Sequence, residues 1–203
     1  STADSGGTVA HMTLVPDGDL ILDPVSQNVI INATDKLYFD GGTHTYIAET
    51  HSDVLTFYVR GTEAIKIDKN DATDKFIRFG GFGVGWTLNE PTYDATDTDT
   101  DFRNSNKHLV TFGSGNITDM NLQFPAVTGN FVLLLLQDGS GSRTVTHWKA
   151  FDNNGNAADG SATVVWAGGT APTLTTTADK TDIISFFWDD THEIAYGTIT
   201  HNF

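Results

Sequence analysis

The chain has 203 residues, and 11 Lys and Arg against 26 Asp and Glu give a formal net charge of -15 at pH 7. This acidity argues against a nucleic-acid-binding protein, which neutralises phosphates with clustered Lys and Arg, and against electrostatic docking on an anionic membrane. Cysteine is absent, so disulfides and Cys-based metal sites are excluded. No apolar stretch approaches the roughly 20 residues of a membrane-spanning helix, and no membrane insertion is expected.

The composition indicates an all-β protein. Of the 26 acidic residues 22 are Asp, and there are 20 Gly, so turn-forming residues are abundant while the helix formers Glu and Lys are sparse. A hydrophobic content of 38% and an aromatic content of 11% still provide a core. The sequence predicts four segments: a loose arm over 1–16, a stalk-like region of short strands over 17–71, a connector over 72–106 and a β-sandwich over 107–203.

The stalk-like region shows short strands between turns rich in Gly, Asn and Asp, at a spacing typical of a sandwich, a barrel or a stacked β architecture. About 55 residues of such strands bury little apolar surface alone. Two explanations stay open: the apolar side chains are covered by the rest of the same chain, or by identical chains around a symmetry axis. We favour assembly of identical chains. The candidates for the core of that assembly, which the resemblance described below makes a trimer core, are Leu20, Leu22, Val29, Ile31, Leu37, Phe39, Ile47, Phe57, Val59, Ile65 and Ile67.

The connector combines two unusual patterns. Residues 76–86 interleave aromatics with glycines, and residues 94–101 alternate Asp and Thr. The second pattern is too charged to pair comfortably as a strand, so we predict a solvated acidic loop and a domain boundary near 100–106. Its carboxylates at Asp97, Asp99 and Asp101 could instead supply oxygens to Ca²⁺, which prefers hard ligands. No other cofactor is expected.

The last segment holds the strongest strand signals. Residues 130–136 are apolar on both faces, as in a central strand, and a Gly-rich turn separates them from the alternating residues 143–148. A β-hairpin is the direct interpretation. Further strands are predicted over 182–188 and 193–200, and we expect a jelly-roll-like sandwich with its own core.

Catalytic signatures are missing from the sequence, and no nucleophile and base pair emerges, so we expect no enzyme. The Asn- and Asp-rich loop that begins at residue 152 and the aromatics of the connector suggest a glycan contact instead. Trp86 and Tyr93 are expected to be exposed, because they lie in a loop-rich stretch. The candidate contact residues are Trp86, Tyr93, Asp152, Asn153, Asn154 and Asn156.

Two parts of the chain resemble a known family. Residues 129–146 (GNFVLLLLQDGSGSRTVT) and 166–187 (WAGGTAPTLTTTADKTDIISFF) are similar to a C-terminal β domain of virion structural proteins of tailed bacteriophages. Residues 37–49 and 55–61 resemble the shaft-like repeats of phage tail-fibre and tail-spike proteins. The segments that carry the resemblance make up 60 of the 203 residues. Residues 149–163 look like an insertion relative to that pattern.

The resemblance implies a homotrimer on the virion exterior, in contact with other virion proteins and synthesised in the host cytoplasm. It carries no catalytic residues, and a depolymerase spike is the least favoured class. We therefore expect a tail fibre, a receptor-binding protein or a capsid fibre or decoration protein, which acts by multivalent adhesion to a host-surface glycan or by stabilising the particle. The alternative is a carbohydrate-binding, lectin-like β module.

Overall fold

The computed structural model describes residues 30–31, 35–69, 75–155 and 163–203. These residues form thirteen β-strands and a single 3-10 helix of three residues, so the all-β prediction is confirmed. None of the described helical structure is long and apolar enough to cross a membrane. The chain divides between Val84 and Gly85 into two compact units, and each unit is described by itself below.

The first unit is a five-stranded antiparallel meander in which sequence neighbours pair in order. A tight turn connects the third and fourth strands: Arg60 and Gly61 both have positive φ, as in the primed turns that match the twist of a hairpin. The strands are β1 (Lys36–Tyr38), β2 (Tyr46–His51), β3 (Val54–Val59), β4 (Thr62–Asp68) and β5 (Phe76–Phe79).

One face of this sheet is apolar. Because side chains alternate between the faces of a strand, register partners share a face. The row Leu37, Ile47, Phe57, Ile65 and Phe79 crosses all five strands. The adjacent row on the same face adds Leu55, Ile67 and Ile77. We call these eight side chains the apolar face of the first sheet.

The opposite face of the same sheet is polar and aromatic. Lys36, Lys66 and Arg78 lie on it, and a row of tyrosines, Tyr38, Tyr46 and Tyr58, packs beside them with successive ring centroids 5.1 and 4.5 Å apart. The Lys36 ammonium lies 4.3 Å from the Tyr46 ring centroid. The cations of the sheet are therefore segregated from its apolar face.

The predicted trimer-core residues follow this division. Five of them belong to the apolar face as defined above, and Phe39 and Val59, two residues beyond Leu37 and Phe57, continue it by alternation. Ile31 is exposed and lies outside the strands. Leu20, Leu22 and Val29 lie outside the described residues. The alternation in the sequence thus identified one face of a real sheet, while the trimer stays a prediction.

The second unit is a β-sandwich of a three-stranded sheet, ordered β10-β8-β6, and a five-stranded sheet, ordered β11-β13-β12-β9-β7. Residues from both sheets share one continuous core. The strands are β6 (Asp97–Asp101), β7 (Lys107–Thr111), β8 (Ile117–Gln123), β9 (Gly129–Leu136), β10 (Val145–Phe151), β11 (Thr163–Trp166), β12 (Thr181–Asp189) and β13 (Ile194–Thr200).

The chain crosses between the two sheets at every step from β6 to β11. Strands that follow each other within one sheet, such as β6 and β8 or β7 and β9, are therefore parallel. Parallel neighbours need a crossover of a dozen or more residues, and here the intervening strand of the opposite sheet supplies it. Four of the six strand pairs of this unit are parallel.

This winding changes two predictions. The hairpin of residues 130–136 with 143–148 is wrong, because β9 pairs with β7 and β12, while β10 pairs in parallel with β8 of the other sheet. The Gly-rich turn reverses the chain but carries it across the sandwich. The jelly-roll-like arrangement is not confirmed, since jelly rolls are antiparallel architectures.

The position of the unit boundary also differs from the prediction near 100–106. Asp97–Asp101 forms β6 and pairs with β8, and Phe102 directly after it is 3% exposed in the core of the sandwich. The second half of the predicted connector is therefore part of the C-terminal unit. The prediction of an acidic loop at 94–101 is wrong. Residues 97–101 can pair as a strand because the charges lie on only one of its two faces.

Aromatic rings from both sheets fill the centre of the sandwich. Phe124 lies between Phe102 and Trp188, with centroid distances of 5.0 and 4.6 Å and nearly parallel planes. The Trp188 indole N–H donates to the Pro125 carbonyl at 3.0 Å, so its polar atom is satisfied within the core. His108 is fully buried at the edge of this cluster, edge-on to Phe102, and its Nε2 lies 2.9 Å from the Ser105 carbonyl oxygen.

Acidification should destabilise the sandwich through His108. Burial lowers the pKa of this imidazole, so below about pH 6.5 the unfolded chain takes up a proton that the folded chain resists. The stabilising contribution is complete above that pH and is lost as the pH falls through the lowered pKa. The His108→Gln variant, which keeps a donor for Ser105 but cannot ionise, should lose this part of the pH dependence.

The measurement is the free energy of unfolding in urea between pH 7 and pH 5. One proton gives a slope of at most about 1.4 kcal/mol per pH unit. His51→Gln, at an exposed position of the first unit, serves as the control and should retain the wild-type slope. Equal slopes for wild type and His108→Gln would contradict the assignment to His108.

Candidate functional site

The outer face of the three-stranded sheet carries a polar array. Its three parallel strands are in register, so the outward side chains form three rows of three. Eight of these nine side chains are polar or charged, and the ninth is a phenylalanine. We call them the polar face: Asp97, Asp99, Asp101, Asp119, Asn121, Gln123, His147, Lys149 and Phe151.

The alternation of Asp and Thr positions the carboxylates of β6. Thr98 and Thr100 point inward and are fully buried, and their small side chains leave room for the aromatic core. Their hydroxyls are satisfied locally: the Thr98 Oγ1 donates to the Asp94 carbonyl at 2.7 Å, and the Thr100 Oγ1 donates to the Met120 sulfur at 3.6 Å. The three aspartates must then face outward, where charge also protects an edge strand from pairing with other chains.

Two of the carboxylates are paired with cations. The Lys149 ammonium lies 2.7 Å from Asp119 Oδ2 and His147 Nδ1 lies 2.9 Å from Asp119 Oδ1. The hydrogen bond from Lys149, followed by that from His147, lowers the pKa of Asp119. Arg103 holds Asp101 with two hydrogen bonds of 2.8 and 2.7 Å, and this contact lowers the pKa of Asp101. Both carboxylates are therefore ionised at neutral pH.

Asp97 and Asp99 are joined by an amide. The Asn121 Nδ2 donates to Asp97 Oδ1 and, at 2.8 Å, to Asp99 Oδ1. The amide occupies the place between the carboxylates that a shared cation would take. Within the described part of the chain, no group of three or more His, Cys, Asp or Glu side chains is arranged to hold a metal ion. The weak Ca²⁺ prediction gains no support from this geometry.

A shallow depression of about 290 Å³ lies on the polar face. Its lining combines one aromatic ring with carboxylate and primary amide groups, and those polar groups can accept and donate several hydrogen bonds at once. Such a lining suits a polyhydroxylated ligand, whereas the surplus of carboxylates opposes an anionic one. The lining residues are Asp99, Thr100, Asp101, Asn121, Gln123, Phe151 and Gly155.

The loop that follows β10 borders this depression. Arg103, which is held by Asp101, donates from Nη1 to the Asn153 carbonyl at 2.9 Å, and Gln123 Nε2 donates more weakly to the Asp152 carbonyl at 3.4 Å. The backbone N–H of Asn154 donates to Asp152 Oδ1 at 2.9 Å. The predicted glycan-contact loop and the aspartates predicted as metal ligands thus meet at one surface. Asn156 lies outside the described residues.

The two aromatics predicted as glycan contacts have different environments. Trp86 is 59% exposed, as predicted, but it does not line the depression. Tyr93 was expected to be exposed, and this is wrong: its ring packs against the core, and a Cβ on Gly113 would lie 2.5 Å from it. Its hydroxyl accepts a hydrogen bond from the Gly115 N–H at 3.0 Å. Tyr93 therefore has a packing role.

Four residues of this surface were not predicted from the sequence: Asn121, Gln123, Phe151 and Arg103. The alternation of Met120 and Leu122 with Asn121 and Gln123 was available as a signal, because it is typical of a half-buried strand. It did not reveal which other strand lies beside this one. The parallel neighbours of β8 come from distant parts of the chain, so the array becomes visible only in the fold.

Comparison with known proteins gave no match: no protein-family model matches the sequence, and none of the curated proteins or solved structures does.

Loss of the Arg103 side chain should loosen the loop at 152–154 without unfolding the sandwich. Arg103 is 42% exposed, so its ion pair contributes no more than about 1 kcal/mol to global stability. Arg103→Ala should accelerate amide hydrogen exchange at Asn154 and Gly155 several-fold, while the exchange of β9 and β12 stays unchanged. Arg103→Lys, which keeps the charge but not the fork geometry, should also loosen the loop. Unaltered exchange in both variants would show that the loop is held by other contacts.

Proposed function

We propose that the chain is a non-enzymatic structural protein of the exterior of a tailed-bacteriophage particle. It would be a tail fibre, a receptor-binding protein or a capsid fibre or decoration protein, assembled as a homotrimer. It would act by multivalent adhesion to the host surface or by stabilising the particle. The observation that carries this proposal is the apolar face of the first sheet, and the resemblance to phage virion proteins supports the setting.

The described residues of the first unit form no core large enough to stabilise it. Among its described residues only Ala48, Val54, Thr56 and Asp68 are buried, and all belong to a single layer. A sheet with an apolar face must bury that face against another layer to be stable. Each large apolar side chain gains roughly 1.5–3 kcal/mol when it is fully buried. The eight side chains of the apolar face therefore represent a large driving force for association.

The distribution of charge supports identical copies of the chain as the partners that cover the apolar face of the first sheet. At a net charge of -15, two copies of the chain repel each other over most of their surfaces. On the apolar face, however, Glu49 is the one charged side chain in the two rows, because the cations of the sheet point to the other side. Three copies that meet through this face around an axis close the assembly without a free face.

Trimeric assembly would also make weak ligand contacts effective. Each copy carries one depression on its polar face, and three depressions in one particle component bind as linked sites. Adhesion to a neutral host-surface glycan follows from the chemistry of the depression. Attachment to other virion proteins would use further surfaces of the same assembly.

A carbohydrate-binding, lectin-like module is the second candidate function, and the depression on the polar face favours it. This module would act as a single chain, and the apolar face of the first sheet would then be covered within that chain. The mass of the protein in solution separates the two functions.

Light scattering at micromolar concentration should give three times the 21.9 kDa chain mass. Ile77 is 62% exposed on the apolar face, and Ile77→Lys should weaken association at least tenfold, about 1.4 kcal/mol, because a charge would be buried. Ser52→Lys places the same charge in the exposed turn between β2 and β3 and should leave the mass unchanged. A wild-type protein with the mass of one chain would overturn the homotrimer and leave the lectin-like module.

Glycan binding should depend on the depression. Phe151→Ala and Asp99→Ala should each lower the affinity for immobilised neutral glycans at least tenfold, since one removes the aromatic surface and the other removes a hydrogen-bond acceptor. Trp86→Ala serves as the control for an exposed aromatic outside the depression. Sialylated glycans should bind more weakly than neutral ones. Binding that is lost in Trp86→Ala but kept in the other two variants would move the contact to the Gly-rich segment.

A further inference from the structure

The two outer faces of the sandwich differ sharply in chemistry. The three-stranded sheet turns the polar face outward, as described above. On the five-stranded sheet half of the residues opposite to the core positions are apolar, and most of the rest are uncharged. From Phe131 to Leu136, β9 is apolar on both sides. We call the following nine side chains the outer apolar face of the sandwich: Leu109, Val132, Leu134, Leu136, Val165, Ile183, Phe187, Ile194 and Tyr196.

Register places these side chains in rows. Leu109, Leu134 and Ile183 are partners across β7, β9 and β12. Phe187, Tyr196 and Val165 are partners across β12, β13 and β11. The rings of Phe187 and Tyr196 lie 6.4 Å apart, and the three side chains of that second row are 46, 43 and 41% exposed.

Charge is almost absent from this face. Among the outward positions of its five strands, Lys107 and Asp189 are the charged side chains, and Asp189 is paired with His192 at 2.8 Å. The polar face of the same sandwich holds four carboxylates, a lysine and a histidine. The segregation indicates that one side is covered and the other is wet.

We propose that the outer apolar face of the sandwich is a second self-association surface, which binds another copy of this chain. The proposal rests on the proposed function, because it takes the homotrimer as given and extends its interface to the C-terminal unit. The sequence analysis placed the trimer core only in the stalk-like region and treated the sandwich as independent.

Area favours a second copy as the occupant. Five strands about 4.8 Å apart and about seven residues long present on the order of 500 Å² in projection. Side-chain relief raises the accessible area toward the roughly 800 Å² that each partner contributes to a standard interface. The first sheet presents an apolar face as well, so each unit offers a surface through which identical copies can associate.

This arrangement determines where the polar face points. The two sheets of a sandwich pack face to face, so their outer faces point in opposite directions. Copies that meet through the outer apolar face therefore leave their polar faces, each with its depression, directed into solvent. Association and ligand display become two consequences of the same sandwich.

Crosslinking can test the proposal directly, because the chain has no cysteine and a single introduced thiol is unique. Tyr196→Cys in the full chain, treated with a short bis-maleimide, should yield covalent dimers, because each chain has one thiol and the reagent joins two. Thr146→Cys is the matched control, since Thr146 is exposed on β10 of the opposite sheet, and it should remain a single chain. Equal crosslinking of the two variants in a trimeric protein would overturn the proposal.

Charge insertion provides the second measurement. Phe187→Lys should weaken association at least tenfold in light scattering, whereas Thr146→Lys should keep the wild-type mass; circular dichroism checks that both variants fold. If Ile77→Lys dissociates the protein while Phe187→Lys does not, the first sheet alone assembles the trimer and the present proposal fails. If the wild type has the mass of one chain, the homotrimer is overturned before charge insertion can test this surface. An unreactive thiol in Tyr196→Cys would then show that the same chain covers the outer apolar face.

Discussion

The need to cover apolar sheet faces dominates the structure of this chain. A β-strand presents side chains on both sides, so every sheet has two faces that must be either wet and polar or dry and apolar. In the sandwich, the inner faces cover each other around Phe124 and Trp188. Among the residues that the structure describes, nothing in the first unit covers the apolar face of the first sheet, and nothing in the second unit covers the outer apolar face of the sandwich. The remaining two faces carry the tyrosine row and the polar face, and are suited to water.

The winding of the sandwich decides which residues share a face. Because the chain crosses between the sheets from β6 to β11, the strands of the polar face come from residues 97–101, 117–123 and 145–151, with strands of the other sheet between them. Carboxylates, amides and cations that are far apart in the sequence thereby become neighbours. The same crossing supplies the parallel pairs, and it places Asp101 where Arg103 can link β6 to the loop after β10.

The sequence allowed the period of several strands to be predicted, but not which strands would lie beside them. Alternation was sufficient to group Leu37, Ile47 and Phe57 on one side, because that property is local. The partner of β9 was not local: the Gly-rich turn before Arg143 indicated a reversal, and only tertiary packing determined that the chain would enter the other sheet. Asp97–Asp101 was predicted as a loop because of its charge. In the fold these residues form a stable edge strand, because they pair with β8 and because Thr98 and Thr100 point inward. Tyr93 was predicted to be exposed because it lies in a loop, whereas its ring packs against Gly113.

The acidity of the chain gains a physical role from this distribution. If copies associate through apolar faces that carry few charges, electrostatic repulsion costs little at the contact and remains strong on the exposed surfaces. Repulsion between polar faces then limits growth, since an assembly that has closed around an axis presents only like-charged surfaces to the next one. The charged edge strand β6 acts in the same direction, because outward aspartates oppose the addition of a further strand. A net charge of -15 is therefore compatible with tight self-association, provided that few charges lie on the faces that meet. This holds for the apolar face of the first sheet and for the outer apolar face of the sandwich.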